Sequence, residues 1–187
     1  MRALEFWKVV VVDESNFLAS LVALLARRAP ATVIGGQAVN AYVEPLVSLD
    51  LDVVVAAEDL PKLEAALPAS FRTERFPHSL NISLPGSDLR AQIQTDPRYA
   101  SFPARAETRR VLGLDLPVAA IDDVLRGTVW AAQDADRRPS PSTAARGSPS
   151  EVEGSKRQKD LADIARLIER YPDLRHQVPR EILDRLL

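Results

Sequence analysis

The chain has 187 residues, 46% hydrophobic and 27% charged, which suits one compact domain with a small helical appendage and excludes wholesale disorder. It contains no cysteine, so disulfide frameworks, cysteine-based zinc sites and thiol nucleophiles are excluded, and two histidines are too few for a multi-histidine metal centre. A formal charge of −2 gives no global attraction for nucleic acid or anionic membrane.

Asp13 or Ser15 can cap a first helix, in which Phe17, Leu18, Leu21, Leu24 and Leu25 follow helical spacing and Arg27 and Arg28 suit the negative end. Pro30 stops it. A short strand over 32–34 then meets Gly35-Gly36, a bend where the missing side chains let a ligand approach, and a short helix over 37–42 follows. Residues 49–55 form the next strand, whose alternation sends Asp50 and Asp52 to one face and Leu49, Leu51, Val53 and Val55 to the other. Two convergent carboxylates are a hard-cation site, since Mg²⁺ takes oxygen ligands from one or two carboxylates and from substrate phosphates. A Gly-rich turn opening a helix supplies backbone N–H groups for phosphate. The two halves of a nucleotide site therefore stand close together in sequence.

Asp59 and Pro61 open a helix to about residue 67, and 71–76, 81–84 and 89–95 read as strands, the last two separated by the turn at Pro85-Gly86-Ser87-Asp88. In the last of them Arg90, Gln92 and Gln94 share a polar face that meets the aspartates if the two strands are neighbours. Val111-Leu112 and residues 116–119 flank Gly113 as a further strand pair, and a helix runs from about 121 to 132. Residues 133–154, with Pro139, Pro141 and Pro149 among small polar residues, read as a flexible insertion. Ser155 caps a helix over 156–170 with Leu161, Ile164, Leu167 and Ile168 as its buried stripe, and Pro179 starts a short terminal helix. The expected organisation is a core over 1–132, the insertion over 133–154 and a C-terminal helical segment over 155–187, in an α+β fold. No apolar stretch approaches the roughly 20 residues that span a bilayer. The apolar residues 9–12 are followed by Asp13 and Glu14 rather than by a small-residue cleavage site, so the expectation is a cytoplasmic protein with no membrane partner.

The run Val33-Ile-Gly-Gly-Gln-Ala-Val-Asn-Ala-Tyr42, followed by Ser48-Leu-Asp-Leu-Asp52, resembles the minimal nucleotidyltransferases of the DNA-polymerase-β-like superfamily. The similarity is nearest to the group that includes the toxins of AbiE-type toxin–antitoxin systems, and Lys-Asp-Leu-Ala-Asp163 matches that group's helical segment. The resemblance implies a mixed β-sheet flanked by helices, an NTP substrate, Mg²⁺ or Mn²⁺ on Asp50 and Asp52, an RNA, protein or small-molecule hydroxyl as acceptor, and a cognate antitoxin. It implies nucleotide contacts for Gly35, Gly36, Gln37 and Ser48, and Lys156 and Lys159 are candidates to face the triphosphate, although their solvated i,i+4 pairs with Asp160 and Asp163 are the better explanation of them. A third carboxylate normally completes such a site. By strand parity its place falls on Gln92 or Gln94, with Asp96 on the same face, and an amide is a neutral ligand that cannot act as a general base. A catalytically degenerate nucleotide-binding or interaction module with the same fold is the alternative expectation.

Overall fold

The computed structural model describes residues 14–134 and 149–186. The chain divides into two units, Met1–Ala120 and Ile121–Leu187. In the first, α1 (Glu14–Arg28) precedes β1 (Thr32–Ile34), α2 (Gly35–Asn40), β2 (Asp50–Val54) and α3 (Leu60–Ala65). Five further strands follow: β3 (Arg72–Phe76), β4 (Ser79–Ser83), β5 (Arg90–Gln94), β6 (Glu107–Val111) and β7 (Leu114–Val118).

All seven strands join one mixed sheet in the order β3-β4-β5-β2-β1-β7-β6, with β2–β5 and β1–β7 parallel and the other neighbours antiparallel. The expected mixed sheet and α+β class are thus observed. Alternation fixes its two faces: Leu51 and Val53 of β2, Ala91 and Ile93 of β5, and Leu80 and Ile82 of β4 are all buried on one side. Phe17, Leu21 and Leu25 of α1 and Leu60 and Leu63 of α3 are the helical share of the same core, and Phe17 meets Phe71 edge-on at 4.9 Å. Each fully buried side chain of this size contributes roughly 1.5–3 kcal/mol. The opposite side of β5 and β4 carries Arg90, Gln92, Gln94, Ser79, Asn81 and Ser83.

Several expected boundaries move. Leu112, expected at a strand end, forms with Gly113 the two-residue turn between β6 and β7, at φ 51° and 83°. Left-handed backbone at both central positions matches the twist of the flanking strands, and the first strand therefore lies upstream, in the charged run from Glu107 that shows no apolar alternation. Residues 79 and 80 also extend β4 beyond its expected start, paired with Gln94 and Ile93.

The second unit contains α4 (Ile121–Gln133), α5 (Pro149–Arg170), a 3-10 segment (Pro172–Gln177) and α6 (Arg180–Leu183). Val124, Leu125 and Val129 of α4 and Ile164, Leu167 and Ile168 of α5 are buried, so α4 groups with the C-terminal helices rather than with the sheet. Gln177 Nε2 donates to Asp122 Oδ1 at 2.9 Å, and Gln133 Nε2 to Glu181 Oε1 at 2.7 Å. The helix expected to start after Ser155 starts at Pro149, because proline tolerates a first helical position whose N–H would have no intrahelical partner. The expected insertion over 133–154 is shortened accordingly, and its residues 135–148 lie outside the described residues, as do Asp13 and the Lys156 side chain. Among the described residues no helix is long and apolar enough to cross a membrane.

Candidate functional site

The parallel pairing of β2 with β5 sets Asp50 opposite Arg90, Asp52 opposite Gln92 and Val54 opposite Gln94. Opposed residues project to the same face, so both aspartates share it with the polar side chains of β5, as strand parity requires. Asp50 and Asp52 are about 7 Å apart along the strand. Asp50 is exposed and Asp52 half-buried. The row through Asp52 continues to Gln92 and on to Asn81 of β4, where Gln92 Nε2 donates to Asn81 Oδ1 at 3.0 Å.

On the other side of β2, Ile34 pairs with Asp52, and the chain leaves β1 directly into Gly35. Gly35 has φ +64°, a left-handed conformation, and a Cβ there would run into Asp52 Oδ2 and stand 3.2 Å from Asp52 Cβ. Glycine is thus required twice over, by conformation and by the carboxylate packed against it. Gly36 follows in the first turn of α2, whose N-cap Ile34 offers no side-chain acceptor.

Gln37 and Ser48 have a different visible task from the nucleotide contact expected for them. Gln37 is only 2% exposed and donates from Nε2 to Ser48 O at 3.0 Å, while Ser48 is buried with its hydroxyl 3.4 Å from Asp50 O. Asn40 works beside them: its Nδ2 donates to Leu46 O at 2.7 Å and its Oδ1 accepts from Leu46 N at 2.9 Å. Three polar side chains therefore pin the loop that delivers Asp50, with Leu46 and Val47 left exposed on it. The i+11 reach from Gln37 to Ser48 has no local sequence signature, so only the polar composition of the segment hinted at it.

Asp96 does not replace the third carboxylate. It lies four residues past Gln92, about 13 Å along the strand direction. It also caps a 3-10 turn, accepting from Arg98 N at 2.9 Å and Arg98 Nε at 3.0 Å. Burial pulls its pKa upward, but the Arg98 side-chain and backbone N–H groups and the charges of Arg98 and His78 hold it below the usual carboxylate range. Among the described residues no group of three or more acidic, histidine or cysteine side chains could hold a metal. Two carboxylates on one face nevertheless fit a single hard cation whose remaining ligands are phosphate oxygens and water.

Lys159 is exposed on α5 in the second unit, and its charge acts on Asp163. Asp163 is not on a solvated face: it is 5% exposed and bonded by Arg166 at 2.7 Å. Its burial raises the carboxyl pKa, and the attraction of Arg166 and Lys159 offsets this only in part.

No family model matches the chain, and no curated protein does. Solved structures do. The solution structure of the antibiotic-resistance factor ANT(2'')-Ia superposes with a TM-score of 0.52 at 16% identity, over 87% of this chain and 95% of that one. The crystal structure of ANT(2'')-Ia with adenylyl-2''-tobramycin gives 0.51 at 16% identity, over 83% and 97%. The lincomycin-bound lincosamide antibiotic adenylyltransferase LnuA gives 0.50 at 12% identity, over 83% and 96%. Identities this low speak to architecture, and together with the seven-stranded mixed sheet they show that the chain has the nucleotidyltransferase fold.

Proposed function

We propose that the chain transfers a nucleoside monophosphate from an NTP to an acceptor hydroxyl, with Asp50 and Asp52 as the metal-binding and catalytic carboxylates. The observation that carries this reading is the Gly35 bend seated against Asp52, on a strand that presents Asp50 to the same face. Bound there, Mg²⁺ or Mn²⁺ would neutralise the polyphosphate charge and orient it. Gly35 and Gly36 leave the backbone bare for the polyphosphate, and Gln37 and Ser48 position Asp50 through the loop. The acceptor oxygen forms a bond to the α-phosphorus, the bond from that phosphorus to the β-bridging oxygen breaks, and pyrophosphate departs with the electron pair. The hydroxyl proton goes to solvent, because the Gln92 amide is no base. Catalysis here is positioning and charge stabilisation rather than covalent work by the protein. A toxin-like role alongside an antitoxin rests on the motif resemblance alone, and a cytoplasmic setting on the acidic Asp13 and Glu14 that follow the apolar residues 9–12.

The test is labelling of acceptors by α-³²P-NTP in the presence of Mg²⁺ or Mn²⁺, with Asp50→Ala in parallel. Labelling that survives the substitution overturns the assignment. A second reading, a nucleotide-binding module without turnover, is favoured by one specific observation: Gln92, at the position opposite Asp52, is held by Asn81 as a neutral amide. That reading predicts thermal stabilisation by Mg-NTP without labelling, and labelling gained by Gln92→Asp. If the wild type does turn over, its rate should climb with pH for want of a base, and Gln92→Asp should flatten the climb.

A further inference from the structure

The register that aligns Asp50 with Arg90 extends outward through Ser83 of β4 to Arg72 of β3, so Asp50, Arg90, Ser83 and Arg72 form one row on one face. We propose that this row is the acceptor seat and that the acceptor carries a phosphate ester close to its reactive hydroxyl. The proposal rests on the nucleotidyl-transfer reading and names the substrate class for that same site.

Ion pairing separates these two arginines from the others in the sheet. Arg75 pairs with Glu64 at 2.7 Å, Arg109 with Glu107 at 2.8 Å and Arg110 with Asp115 at 3.4 Å. Among the described residues Arg72 and Arg90 make no ion pair, although Arg90 is half-buried and Arg72 exposed on the same face. A guanidinium fork presents parallel N–H donors that match the oxygens of a phosphate. Ser83 between the two arginines is neutral, as are Gln92 and Asn81 in the middle of the next row. Glu74, opposite Asn81 on the outermost strand, is the one carboxylate among the β3, β4 and β5 residues of that face. A cationic acceptor would require acids where this row has arginines.

The direction of the reaction also fits. Attacking and leaving oxygens stand roughly in line across the transferred phosphorus. Gly35, the proposed polyphosphate contact, lies on the β1 side of the aspartates, and the row leaves on the β5 side. An acceptor seated on the row therefore comes from the side opposite the leaving pyrophosphate. From Asp50 to Arg72 the row spans three strand spacings, about 14 Å, enough for a hydroxyl at one end and a phosphate at the other.

The experiment is calorimetric titration of the full chain and of Arg72→Gln with four probes: a short oligoribonucleotide, a hexose phosphate, the unphosphorylated hexose and a cationic amino sugar. The expected result is binding of a phosphorylated probe, weakened about tenfold in Arg72→Gln as one charge-assisted contact is lost. Whichever phosphorylated probe binds identifies the source of the phosphate. The proposal is overturned if neither phosphorylated probe binds, if Arg72→Gln binds them as tightly as the wild type, or if the amino sugar binds more tightly than either. Thermal stabilisation by Mg-NTP, measured on the same samples, reads the nucleotide site independently, so failure of the seat and failure of the transferase reading give different patterns.

Discussion

Asp123 and Asp163 of the helical unit and Asp50 and Asp52 of the sheet unit meet opposite treatment. In the helical unit Asp123 is fully buried and Asp163 nearly so, and each is joined to an arginine one turn onward, Arg126 at 3.3 Å and Arg166 at 2.7 Å. In the sheet unit Asp50 stands exposed, with no ion pair among the described residues, and Asp52 is pressed by the bare backbone of Gly35. Burial with a fixed counter-charge makes an acid part of the scaffold, at a desolvation cost that a single pair seldom recovers in full. Asp50, left at the surface, has its charge available to a ligand. Depth and pairing, more than the presence of an acid, therefore separate architecture from function here.

That contrast can be broken most directly at Asp50. Asp50→Ala should lower labelling by about 10²–10³-fold, the scale of losing a group that stabilises transition-state charge, while the melting temperature hardly moves. A large loss of stability instead would place Asp50 with the scaffold acids. Gly35→Ala should harm both properties, costing about 2 kcal/mol through left-handed backbone and contact with Asp52, and abolishing Mg-NTP stabilisation; urea titration and a thermal shift assay measure the two. Gln37→Ala should leave the Ser48 carbonyl without its donor and cost about 1–3 kcal/mol, with labelling lowered because the loop before Asp50 loosens.

The smallest effect sharpens the comparison through pH. Asp163 has a raised pKa in the folded chain, so its favourable contribution is fully present below the ordinary carboxylate value and is lost as pH rises through the raised one. Asp163→Asn should thus stabilise slightly at neutral pH and be silent below about pH 4. Asp96, whose pKa is lowered, runs the other way: its contribution is present above the ordinary value and is lost as pH falls. Asp96→Asn should destabilise at neutral pH and be silent in strong acid. Melting curves from pH 3 to 8 on both variants check the opposite signs.

Much of this was legible in the residues themselves. Period-two alternation placed Asp50 and Asp52 on one face and set Gln92 with them, because a strand leaves a side chain only two directions. The bend at Gly35 was readable as glycine, though its tight fit against Asp52 was not, since that depends on antiparallel pairing between β1 and β2. The hold of Gln37 and Ser48 on the loop before Asp50 was not legible, because a buried side-chain-to-carbonyl bond leaves no periodic trace. Asp163 looked like half of a solvated i,i+4 pair, and only the packing of α4 and α5 reveals its burial. The strand from Glu107 was hidden by its charged run, which pairing with β7 rather than apolar alternation turns into β-structure.

One feature of the sheet order reaches into how the molecule matures. Neighbours β2 and β5 are separated in the chain by α3 and the whole β3–β4 hairpin, so the lane of polar groups between them exists only after that excursion has folded and returned. Such distant closure is slow compared with helix formation. Chemical competence therefore waits on tertiary closure and cannot arise with the local helices and hairpins alone.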